Sequence, residues 1–106
     1  MISGGSIKIS NGGGITLAPV GAPRYLRAWK NPEFGFVSLA WEPGYAHEET
    51  VIERFEANIW REVGVTRRAQ TGFLDQNIAP NVQYKYRVRG RRGTSLSEYS
   101  RASEVM

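Results

Sequence analysis

The chain is expected to fold as an all-β sandwich. Three observations predict this. Short runs of alternating apolar and polar residues recur along the sequence. Gly, Pro and Asn turn signals separate them. No segment sustains an apolar period of 3.6 residues long enough to make a helix. Seven strands connected by such turns describe an Ig-like sandwich.

Residues 1–22 differ from the rest and form the first unit. They hold six of the 12 glycines, no aromatic residue and one charge, Lys8. Ile7 and Ile9 alternate with polar residues, Asn11–Gly14 reads as a turn, and Ile15 and Leu17 alternate again. Asn-Gly between alternating runs predicts a hairpin, because both residues tolerate positive φ. A lone hairpin is marginal in water, so this Gly-rich arm needs something to pair with or rest on.

Residues 23–106 form the second unit. "RYLRAWK" alternates, with Leu26 and Ala28 expected inward. "FGFVSLAWEP" places Val37, Leu39 and Trp41 on one face, and Pro43-Gly44 closes it. "TVIERF" and "NIWREVG" follow, with Glu56-Ala57 read as their turn, and then the short "TGFLDQ". "VQYKYRVRG" alternates most cleanly, with Tyr84, Tyr86 and Val88 set against Lys85, Arg87 and Arg89. "SLSEYSRASEV" supplies the last strand.

These residues carry a resemblance. From Pro23 onward the chain resembles a fibronectin type III domain. Pro23 and Leu26 open the first strand, and "VSLAWEP" puts Trp41 at the family's core tryptophan. "VIER", "WREV" with Trp60, "TGFLD" and "GTSLSEYS" follow in the family's order. Most specific is "IAPNVQY": Ile78, Pro80, Asn81 and Tyr84 fit the family's tyrosine corner, in which the phenol bonds nearby backbone. Thr50 departs from the pattern, standing where the family often carries an aromatic, and so does the arm. The resemblance implies a spacer or recognition module, with Trp60 packed structurally.

No constellation suggests an enzyme, and no cofactor or metal is expected. His47, beside Glu48 and Glu49, has no local nucleophile or orienting partner and reads as part of a solvated loop. "NGGG" lacks the Lys, Ser/Thr and helix of a phosphate-binding loop. The chain has no cysteine, hence no disulfide. No apolar run approaches 18 residues, which excludes a membrane-spanning helix. A net charge of +4 permits anionic partners without demanding them.

Three patches offer contacts. Lys85, Arg87 and Arg89, followed by Arg91 and Arg92, put five cations within eight residues. They are either an anion site or a solvated sheet face. On the second reading Glu53 pairs across to Arg87 or Arg89, and such exposed pairs are worth less than about 1 kcal/mol. Aromatic interleaving is not expected, since Tyr84 and Tyr86 point inward. Tyr25, Arg27 and Trp29 are expected to face outward in one row, open to a protein or a sugar ring unless the arm covers them. The arm itself, through Ile7, Ile9, Ile15 and Leu17, is suited to adding to an open sheet edge.

These features predict a structural or assembly module docked by its arm onto other protein subunits. A chain that begins at its own Met without a secretory signal fits a component of a bacteriophage virion: tail, neck or capsid decoration. A homo-oligomer is compatible with this, whereas nucleic acid and membrane are not expected partners. The alternative is a carbohydrate- or surface-binding accessory module of a secreted bacterial enzyme or adhesin, placed extracellularly or at the cell surface.

Overall fold

Alternation becomes two facing sheets. In the computed structural model, which describes residues 19–31 and 33–105, eight strands are present: β1 (Arg24–Asn31), β2 (Phe36–Glu42), β3 (Glu49–Glu56), β4 (Ile59–Arg67), β5 (Gly72–Asp75), β6 (Tyr84–Arg92), β7 (Ser95–Leu96) and β8 (Ser103–Val105). One sheet runs β1-β2-β5. The other runs β4-β3-β6-β7, with β8 also pairing β6. The described strand pairs are all antiparallel. Ile7, Ile9, Ile15 and Leu17 lie outside the described residues, and so does the hairpin expected there.

The core forms from the inward faces. Val37, Leu39 and Trp41 of β2 meet Ile52 of β3 and Tyr84, Tyr86 and Val88 of β6. Leu26, Ala28, Val63, Phe73 and Ile78 close its margins. Removing that apolar surface from water is the main stabilising term. The tyrosine corner forms as expected: the Ala79 N–H donates to the Tyr84 hydroxyl at 2.8 Å, and Asn81 takes a left-handed φ of 61°.

Two local expectations are corrected. The β3–β4 turn is Ala57-Asn58, with φ of 52° and 66°, and not Glu56-Ala57. Glu56 pairs with Ile59, so a two-residue turn with both φ positive best matches the strands' twist. The C-terminal strand is two strands, making eight and not seven. Between β7 and β8, the Ser97 Oγ accepts from the Gly90 N–H at 2.8 Å and the Ser100 Oγ from the Val88 N–H at 3.0 Å. The Ser97 and Ser100 N–H groups donate back to the Gly90 and Val88 carbonyls. Side chains thereby replace part of the ladder, and the segment follows β6 without being a regular strand.

Candidate interaction surfaces

The outer face of β1-β2-β5 is set by register. Trp29 pairs with Ser38, and Ser38 with Leu74; Arg27 pairs with Ala40, and Ala40 with Gly72. Val37, Leu39 and Trp41 point inward, so Phe36, Ser38 and Ala40 point outward with these partners. Trp29 and Leu74 are each about half exposed, and Phe34 is more so. Phe34 stacks on Phe36 with ring centroids 6.1 Å apart. Large side chains therefore flank a floor of Ser38, Ala40 and Gly72. Sequence reasoning found Trp29 and Arg27 but missed Phe34, Phe36 and Leu74. Cross-strand register, which no single run reveals, brings them together.

Tyr25, Arg27 and Trp29 are all exposed, yet they do not form one straight row. A bulge falls between Arg24 and Arg27. Tyr25 takes a φ of 57° there, and its ring meets the Arg24 guanidinium at 5.8 Å. An extra residue in one strand breaks the two-residue period, which turns Tyr25 out of line with Arg27 and Trp29.

The basic strand is built differently from the expectation. Glu53 pairs with Arg87 across β3-β6, as read from the sequence. Its carboxylate accepts from Arg87 Nε at 2.9 Å and lies 4.0 Å from an Arg89 nitrogen. Aromatic rings do interleave, supplied by neighbouring segments. The Arg87 guanidinium lies 4.1 Å from the Trp60 ring centroid and 3.5 Å from that of Tyr99. Arg89 lies 4.5 Å from Tyr99, and Lys85 lies 5.4 Å from Phe55. Trp60 also packs on Phe55, at 5.2 Å. The Tyr99 hydroxyl donates to Glu53, and burial with that carboxylate pushes its pKa up. Arg91 pairs with Glu49 at 2.9 Å, and Arg92 donates to the Ala46 carbonyl at 3.2 Å. These cations are occupied by the fold itself.

His47 is buried, not solvated. Its Nε2 accepts from the Gly44 N–H at 2.8 Å. The loop bends inward because Gly90 leaves room: a Cβ there would lie 2.6 Å from the His47 Cβ. Arg68 holds the loop from outside, donating to the Gly44 and His47 carbonyls at 2.7 and 3.2 Å. Burial, then the Arg68 charge, lowers the His47 pKa from its ordinary 6.5. The native state therefore binds this proton less readily than the unfolded chain. His47 contributes its full stability above pH 6.5, and loses it as pH falls from there through the lowered native value. His47 is the single histidine. We expect unfolding in urea to become easier from pH 7.5 to pH 5, and His47→Gln to remove most of that change. A profile equally steep in the variant would assign the effect elsewhere.

A buried polar network joins the sheets. Arg54, on the core face of β3, donates to both Asp75 oxygens, at 2.9 and 2.8 Å, and to the Asn77 carbonyl at 3.1 Å. It also pairs closely with Glu56. The Tyr86 hydroxyl donates to Asp75 at 2.6 Å. Burial opposes the Arg54 charge, but Asp75 and Glu56 outweigh it and hold its pKa above the usual arginine range. Burial and Asp75 together push the Tyr86 phenol up. Among the described residues, no group of three or more His, Asp or Glu is placed to hold a metal ion.

No protein-family model and no curated protein sequence matches the chain. Solved structures do. An Fn3-like protein from Clostridium thermocellum superposes with a TM-score of 0.73 at 14% identity, over 84% of this chain and 94% of that one. The structure of titin kinase and its flanking domains gives 0.70 at 22%, over 84% and 17% of the two chains. A pectate lyase from Pectobacterium carotovorum gives 0.63 at 20%, over 74% and 25%. This chain thus spans a minor part of the latter two proteins and nearly all of the first. Sandwich, tyrosine corner and these superpositions agree that the chain carries a fibronectin type III fold.

Proposed function

We propose that the chain is a non-enzymatic interaction module that joins a larger protein assembly. The observation carrying this reading is the outer face of β1-β2-β5, where Trp29, Phe34, Phe36 and Leu74 surround small residues. Contiguous exposed aromatic surface marks contact sites. The buried titratable groups support the same reading, because each is committed to the fold: His47 to Gly44, and Arg54, Asp75 and Tyr86 to one another. Fn3-like units within a titin kinase region and a pectate lyase are modules of larger chains, which also supports it.

The setting we assign is a bacteriophage virion, in its tail, neck or capsid decoration. There the arm pairs with a neighbouring subunit and the sandwich projects. The arm's apolar alternation is what supports this assignment. Changing Ile7, Ile9, Ile15 and Leu17 together to Ser is expected to abolish incorporation into particles while the sandwich stays folded. Unimpaired incorporation would overturn the assembly role.

The exposed Trp29 indole favours one second reading, a glycan-binding accessory module. Trp29→Ala is then expected to weaken binding to a polysaccharide such as polygalacturonate by about 1–3 kcal/mol, the scale of stacking on an aromatic ring. No detectable binding by the intact protein removes that reading.

A further inference from the structure

We infer that the loop from Pro43 to His47 is a clasp on Gly21 and Ala22 that acid opens: a proton on the His47 Nε2 releases it while both sheets stay folded. The inference goes beyond the assembly reading and does not depend on it. Three observations carry it. The first is what the loop holds. The Gly21 N–H donates to the Tyr45 carbonyl at 2.6 Å, and Gly44 lies against the Gly21 and Ala22 carbonyls with no room for a Cβ. Gly21 and Ala22 lead directly into β1. The loop thus fixes the chain where it enters the first sheet.

The second is how the loop is held. The His47 Nε2 accepts from the Gly44 N–H at 2.8 Å. Only a neutral imidazole has the lone pair for that bond, and a proton there sets N–H against N–H. Ala46 is held at a φ of 63°, a left-handed conformation that a residue with a Cβ keeps only where its surroundings enforce it. Losing the bond lets Ala46 relax. The ladder pairs that flank the loop, Arg24 with Glu42 and Glu49 with Arg91, lie outside it and persist. The third is charge around the ring. Arg68, just past β4, donates to the Gly44 and His47 carbonyls, and Arg92 of β6 donates to the Ala46 carbonyl. Beside His47, Tyr45 and Glu48 are exposed, and the Glu49 carboxylate is engaged by Arg91 at 2.9 Å. Arg24 and Glu42, from β1 and β2, lie 3.8 Å apart and are exposed. An imidazolium in the closed loop therefore meets burial and the Arg68 cation, both of which oppose its charge. In the open loop both penalties are gone, so falling pH favours opening.

Amide hydrogen exchange of the full-length protein, read by NMR, tests this. The Gly21 and Gly44 N–H groups report the clasp, and the Val88 N–H, bonded to the Ser100 Oγ, reports the sheets. From pH 7.5 to pH 5.5, protection relative to an unstructured peptide is expected to fall at least about threefold at Gly21 and Gly44. Dilute urea is expected to leave exchange at these two amides nearly unchanged while speeding it at Val88, because a local opening exposes little surface. In His47→Gln, whose side-chain oxygen can accept from Gly44 at any of these pH values, both protections are expected to stay constant. A second readout needs no variant. His47 is the single histidine, so its ring signals are unambiguous, and the fall at Gly21 is expected to level off once that ring has titrated. Constant protection at Gly21 across the range would overturn the inference, as would an equal fall in a folded His47→Gln. A urea dependence at Gly21 as steep as that at Val88 would overturn it too, because the sandwich would then be opening as a whole.

Discussion

Asp75→Ala is expected to destabilise the sandwich by about 3–5 kcal/mol, the cost of breaking a buried ion pair from one side. Asp75 is 3% exposed and Tyr86 is fully buried. Removing the carboxylate deprives Arg54 of two charge-assisted bonds and Tyr86 of its acceptor. Glu56 and the Asn77 carbonyl remain for the guanidinium, but nothing in the described network replaces Asp75 for the phenol. For a domain of this size the loss corresponds to a fall in Tm of at least about 12 °C. Replacing the buried members with apolar groups, as Arg54→Met, Asp75→Leu and Tyr86→Phe together, is expected to cost much less, because the one charge left without its partner, Glu56, is partly exposed to solvent. Thermal unfolding of the single and triple variants decides it. A single-variant loss below about 1 kcal/mol, or a triple variant weaker than the single, would show that the network does not work as a unit.

The same network marks the limit of what was legible in the sequence. Alternation along β2 and β6 fixes which side chains face inward, and Val37, Leu39, Trp41, Tyr84, Tyr86 and Val88 all do. On β3, whose run "TVIERF" does not alternate, the structure places Arg54 on the Ile52 side, an inward arginine that demands a partner. That partner, Asp75, lies 21 residues away on the other sheet. Only the packing of sheet on sheet brings the two together, and no period within a strand encodes it. His47 was misplaced for a related reason. Its neighbours Glu48 and Glu49 and the preceding Pro-Gly turn read as a solvated loop. The signal that it turns inward sits 43 residues downstream: Gly90 interrupts an otherwise regular strand, as glycines do where another segment approaches closely. For the outer face, composition along β1 revealed Trp29 and Arg27. Phe36 and Leu74 joined them only through register, and the bulge that displaces Tyr25 carries no composition cue.

Arg87 provides the second large effect, and here sequence and structure disagree on magnitude. Read along its own strand, Arg87 is one of five cations whose exposed pairing with Glu53 would contribute less than about 1 kcal/mol. In the fold its guanidinium is layered between the rings of Trp60 and Tyr99 while Nε holds Glu53. A cation on an aromatic face contributes about 0.5–1 kcal/mol when exposed and about 2 when desolvated. Two rings and a largely buried carboxylate act on this one side chain. We expect Arg87→Ala to cost about 2–4 kcal/mol in urea unfolding, and Arg87→Lys to recover only part, since an ammonium cannot stack in plane on both rings. A double-mutant cycle with Tyr99→Leu is expected to show coupling of at least about 1 kcal/mol. An Arg87→Ala loss below about 1 kcal/mol would return this strand to a solvated basic face. Its five cations would then be available to an external anion, and the salt dependence of polyanion binding would become the property to measure. A loss in the expected range means that the strand's charge is already engaged in holding β4, β3, β6 and the Tyr99 segment together.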